Sequence, residues 1–139
     1  MKRLLVLCFL VSIVCVTACD DSGNKYTVNM IHSGVTDGIK GYAKFVAFDD
    51  GAGCDGTALY FVEATFSSGS AVATVKNIAA GSYRGCIFID NNDSASGANT
   101  SMPDGGDYSI DSGGEDAIVV PDSKSATINE DEWSTVTDK

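Results

Sequence analysis

The chain has 139 residues, with 9 basic and 19 acidic side chains and a formal charge of −10 at pH 7. That is one domain's worth of chain, and its charge repels nucleic acid and anionic lipid headgroups, so neither is an expected partner surface. Cations and basic surfaces are favoured instead, although such a charge also simply keeps an exposed domain soluble.

The chain opens with the layout of an export signal: Lys2 and Arg3, an apolar stretch from Leu4 to Val16, then Thr17, Ala18 and Cys19. The apolar stretch is shorter than the roughly 20 residues that span a bilayer. A cysteine directly after a small residue resembles the lipobox of bacterial lipoproteins. The resemblance implies cleavage before Cys19, lipid on its sulfur, and anchoring to the membrane of the bacterial cell envelope, at the periplasmic face or the cell surface. Two or more acyl chains anchor stably where one does not. The expected organisation is a signal peptide at 1–18, a lipidated cysteine and tether at 19–24, a β-sandwich domain at 25–130 and a polar, frayed tail at 131–139, from which Trp133 could dock on the sheet. Without Lys2 and Arg3, seven basic residues face the 19 acidic ones.

Cys8 and Cys15 leave with the signal and Cys19 would carry lipid, so Cys54 and Cys86 remain. In an exported chain they are expected to form a disulfide, whose loop of some thirty residues would contribute roughly 3 to 4 kcal/mol. A metal pair or catalytic thiol would need partners, and His32 is the single histidine.

After the signal no helical apolar repeat persists. Short β-rich runs alternate with glycine and aspartate clusters, which predicts an all-β fold: a single antiparallel Greek-key β-sandwich of about seven strands. In chain order the runs are Lys25–His32, with Tyr26, Val28 and Met30 on one face; Tyr42–Phe48; Ala58–Phe66; Ala71–Lys76; and Ser82–Asp90. Weaker ones follow at Asp107–Ile110, Asp116–Val120 and Ser125–Asn129. In the third run Tyr60, Val62, Ala64 and Phe66 make the better core face, leaving Leu59, Phe61, Glu63 and Thr65 on the other.

Val75 to Asp90 carries more than generic β pattern. An apolar strand end is followed by Ile78, by Gly81 two residues before Tyr83, and by Asp90 where the next strand stops. This resembles the strand-turn-strand element of prealbumin-like sandwiches, the group that includes carboxypeptidase regulatory-like and starch-binding-like modules. Ile78 is expected to cap the core, Gly81 to close the turn with a positive φ, and Tyr83 to cover the sandwich end.

Asp90, Asn91, Asn92, Asp93 and Ser94 open an excursion that ends at Asp104, Gly105, Gly106 and Asp107. Members of the group often close such clusters on each other, similar to a calcium loop. Calcium takes six to eight oxygens, and Asp90, Asn92, Asp93, Asp104 and Asp107 could supply them. Ala95 and Ser101 depart from the helical calcium-hand pattern. The same residues equally suit a solvated excursion of turn formers.

No enzyme chemistry is expected. His32 lies at the end of the first run with no glycine-flanked serine elbow elsewhere, and a small domain has little room for the cleft that raises a catalytic carboxyl's pKa. Two classes of function remain open. One is a non-enzymatic binding or adhesion module that meets a protein or glycan through the 90–107 loop or the face of Leu59 and Phe61. The other is a structural or assembly lipoprotein with no ligand.

Overall fold

The computed structural model describes residues 23–95, 102–110 and 117–137. The signal, Cys19 and residues 96–101 of the long excursion lie outside them. Among the described residues there are nine strands: β1 (Lys25–Ile31), β2 (Lys40–Ala47), β3 (Tyr60–Thr65), β4 (Ser70–Lys76), β5 (Gly81–Asp90), β6 (Tyr108–Ile110), β7 (Ile118–Val120), β8 (Ser125–Ile128) and β9 (Trp133–Thr135). Single 3-10 turns occupy Gly53–Asp55 and Glu130–Glu132.

The strands form a sandwich of two sheets. The smaller runs β4-β1-β8; the larger runs β3-β2-β5-β6-β9, with β7 also on β5. β6 and β7 pair with opposite ends of β5, along the edge that β2 leaves open. Pairing is antiparallel except for β1 with β8, which run parallel. The count exceeds the seven or so expected because the short C-terminal runs all pair.

The alternation on β1 and β3 is realised as expected. Tyr26, Val28 and Met30 are buried, and Tyr60, Val62 and Ala64 pack against the core they form with Phe45, Phe66, Ile78 and Ile89. A side chain at Gly41 would collide with Met30 and Phe66, so the sheets approach each other closely there. Ser68 and Gly69, both at positive φ, make the tight turn from β3 to β4, and Ser67 and Ser70 exchange backbone hydrogen bonds across it.

Two expectations are corrected. Gly81 does not close the β4–β5 turn; it begins β5, and Asn77 takes the left-handed conformation at φ +57°. Asparagine tolerates that region because its short polar side chain bonds locally. Ile78 does cap the core, and the Tyr83 hydroxyl donates to the Ala79 carbonyl at 2.8 Å while its ring meets Tyr60 edge-on.

The tail, in turn, is not wholly frayed. Trp133–Thr135 pairs antiparallel with β6, and the Trp133 indole N–H donates to the Ile31 carbonyl at 2.8 Å. An Asn129–Glu132 capping box holds the corner before it.

Candidate functional site

β5 ends in Asp90, and β6 is preceded by Asp107; both carboxylates are fully buried. Each is held by backbone amides. Ser94 and Ala95 donate to the two oxygens of Asp90 at 2.9 and 3.0 Å, and Asn91 and Asp104 donate to those of Asp107 at 2.9 and 3.1 Å. The Asn92 side-chain amide joins the two halves, donating to Asp104 Oδ1 at 2.7 Å and to the Gly105 carbonyl at 3.0 Å. The bond from Asn92, and after it one from the Ser94 side chain, depress the Asp104 carboxyl. Burial raises that of Asp107 despite its two amides.

Four of the five expected ligands, Asp90, Asn92, Asp104 and Asp107, are therefore brought together. Asp93 is exposed at φ +58°, and its charge is among those that raise the Tyr42 hydroxyl pKa, after burial, Glu63 and Asp90. Among the described residues no three His, Cys, Asp or Glu side chains are placed to share a metal ion. The carboxylates close the excursion through backbone amides. Gly106 and Asp107 extend that clasp to β9, the Gly106 N–H donating to the Val136 carbonyl and the Val136 N–H to that of Asp107.

The outer face of the larger sheet holds a second polar centre. Phe61, Lys44 and Cys86 stand opposite one another on β3, β2 and β5, and therefore on one face. In the next row Tyr42 stacks between Phe61 and Phe88, with centroids at 5.3 and 5.0 Å. The Cys54–Cys86 disulfide folds the 49–56 segment back over this face, Cα–Cα 5.8 Å. Under that flap Lys44 is 1% exposed. Its Nζ donates to the Cys54 carbonyl at 2.8 Å and approaches Met102 Sδ at 3.6 Å. Burial pushes the ammonium below its usual pKa, and Asp55 partly restores it. Arg84 lies over the Phe48 ring, 5.6 Å from its centroid.

Beside Lys44 opens a cavity of about 290 Å³. Lys44, Arg84 and Ser109 bring polar groups to it, while the disulfide, Phe88, Met102, Pro103 and Ile110 form its apolar wall. The two centres are mechanically linked: Met102 and Pro103 lead directly into Asp104, so the Asp90–Asp107 clasp fixes one wall of the cavity.

Sequence reasoning missed Lys44, because an isolated lysine in an alternating strand reads as solvated. A signal was present in β5, where Cys86, Ile87, Phe88 and Ile89 run apolar without alternation, the mark of a strand covered on both faces. His32 instead ties the end of β1 to the C-terminal corner. It faces Tyr108 and Glu130, while Ser33 donates to Glu130 through both its backbone N–H and its hydroxyl. Leu59 is exposed at the β3 edge, but Phe61 is half-buried in the aromatic stack.

No family model, curated protein or solved structure matches this chain.

Proposed function

We propose that this chain is a lipid-anchored lipoprotein of the bacterial cell envelope whose prealbumin-like sandwich is a non-enzymatic binding module. It is tethered through Cys19 and meets a protein or glycan ligand at the Lys44 cavity. The observation that carries the binding role is that cavity. A concave, largely apolar hollow with a few converging polar groups is what ligand sites share, and a purely structural domain has no need of one. The anchor rests on the order of Lys2, Arg3, the apolar stretch and Cys19. The Asp90–Asp107 clasp serves this role by holding the cavity wall at Met102 and Pro103.

An assembly role is the second reading, and one observation favours it. Among the described residues β4 pairs only with β1, and Val72 is exposed on it, so a sheet edge is open to another strand.

Two measurements test the proposal. Cells expressing the full chain are fed an alkyne fatty acid; label on the wild type and none on Cys19→Ser is expected, and equal labelling would remove the anchor. The full chain is then screened against envelope glycans and proteins beside Ser109→Trp, which fills the cavity. Binding that Ser109→Trp abolishes is expected; binding indifferent to it would move the contact elsewhere.

A further inference from the structure

The ammonium of Lys44 has three N–H donors, and its two hydrogen-bond partners among the described residues are both neutral, a carbonyl oxygen and a thioether sulfur; the Asp55 carboxylate acts on it through its charge alone and only partly offsets its burial. The described ion pairs are His32–Glu130 and Lys40–Glu63, and neither includes it. A buried charge is costly unless an opposite charge meets it, so an anion entering the cavity would relieve that cost. The remaining walls select among anions. Arg84 and Ser109 add polar groups at two points, but Phe88, Met102, Ile110 and the disulfide make most of the wall and would strip the other hydroxyls of a polyol of water without returning hydrogen bonds, which disfavours a sugar body. At about 290 Å³ the space lies at the lower end of ligand sites, enough for one ring-sized group. The domain's strong negative charge also repels multiply charged anions on approach.

We infer that the cavity binds a single carboxylate carried on a compact apolar body, with the carboxylate on Lys44 Nζ and the body against Phe88, Met102 and the disulfide. This rests on the binding role assigned above to the same cavity. The carboxylate can belong to a free acid or to the last residue of a polypeptide, since both present the same group.

The full chain, in a neutral detergent, is titrated with 3-phenylpropionate, with its uncharged amide, with galacturonate and with inorganic phosphate. The readouts are the melting temperature and the NMR signal of the Lys44 ε-methylene. Millimolar 3-phenylpropionate is expected to raise the melting temperature by several degrees and to move the Lys44 signal, because a ligand of the folded state stabilises it by mass action. The amide, galacturonate and phosphate are expected to do neither, and Lys44→Met to lose the response to the acid. Equal effects of acid and amide, stronger effects of galacturonate or phosphate, or an unmoved Lys44 signal would each overturn the inference. Should Lys44→Met fail to fold, the wild-type Lys44 signal under acid and amide decides alone. A peptide ending in phenylalanine that binds more tightly than 3-phenylpropionate assigns the carboxylate to a chain terminus; weaker binding assigns it to a free acid. If all the acids fail while Ser109→Trp still abolishes macromolecular binding, the ligand class falls and the binding site stands.

Discussion

The β2–β5 strand pair carries two buried polar centres that are solved in opposite ways. At its far end, Asp90 and Asp107 have both oxygens engaged by backbone amides. Midway along it, the hydrogen-bond partners of Lys44 among the described residues are a carbonyl and a thioether, with Asp55 acting through its charge and a cavity alongside. The first centre is closed by the protein's own backbone, and the second leaves room for something else. Buried charge alone therefore does not mark a binding site; what marks it is charge whose partners are incomplete and whose surroundings are concave.

The sharpest way to break this contrast is Asp107→Ala. The backbone amides of Asn91 and Asp104 lose a fully buried acceptor, and a loss of about 4 kcal/mol is expected in denaturant titration. A change below about 1 kcal/mol would mean that the clasp is not structural. Its pH dependence has a defined sign. Burial raises the Asp107 carboxyl, so the folded chain holds that proton more tightly than the unfolded one. Its stabilising share is full below the ordinary value near 4 and is lost as pH rises through the folded value. The stability of wild type relative to Asp107→Asn is expected to fall as pH rises from the ordinary carboxylate value through the raised folded one.

Next in size is removal of the disulfide by Cys54→Ser with Cys86→Ser, expected to cost about 2 to 4 kcal/mol. It also frees the flap whose carbonyl holds Lys44, so the Lys44 ε-methylene signal is expected to move toward that of a solvated lysine.

Lys44→Met is expected to change stability by less than about 1 kcal/mol at neutral pH, since a buried charge without full compensation can be replaced by an apolar group of similar size at little loss. The alkaline limb should separate the two proteins. Burial lowers the folded pKa of Lys44, so the unfolded chain holds more protons in the window below the ordinary value of about 10.4. Wild type is expected to gain stability relative to Lys44→Met as pH rises through that window. Raised hydroxyl pKa values at Tyr26, Tyr42 and Tyr83 act oppositely above about pH 10 but are common to both proteins.

The smallest expected effect is that of calcium. Millimolar calcium should shift the melting temperature by less than about 1 °C, because the carboxylates already have amide partners. A rise of several degrees that Asp104→Ala abolishes would reopen the closed centre as an ion site.

The inner half of the sandwich was legible because burial there follows strand alternation, a local property of Tyr26, Val28 and Met30 or of Tyr60, Val62 and Ala64. The convergence of Asp90, Asn92, Asp104 and Asp107 was expected from the resemblance to prealbumin-like modules, and their residue types suit the tight backbone turns that hold them. What escaped was non-local. Lys44 is buried by a flap that arrives through Cys54, ten residues on, and by Met102 beyond it. Trp133 joins the sheet through partners at Tyr108–Ile110 that no local pattern could announce. The Asn77 turn was misplaced onto Gly81 because glycine is the commoner bearer of positive φ, not the sole one.

If the chain is anchored at Cys19 as we propose, the first described residues would set the orientation of the whole domain. Asn24 grips the β4–β5 turn from both sides: its side-chain amide donates to the Ile78 carbonyl at 3.2 Å, and its own carbonyl accepts the Ile78 N–H at 3.1 Å. With the lipid that we propose on Cys19, only four residues separate it from this clasp. The Ile78, Tyr60 and Tyr83 end of the sandwich would then be the membrane-proximal pole. β5 rises from there through ten residues, roughly 30 Å, to Asp90. The carboxylate clasp would crown the outermost tip, and the mouth beside Lys44 would open on the flank at mid-height, clear of the bilayer and facing sideways toward neighbouring molecules.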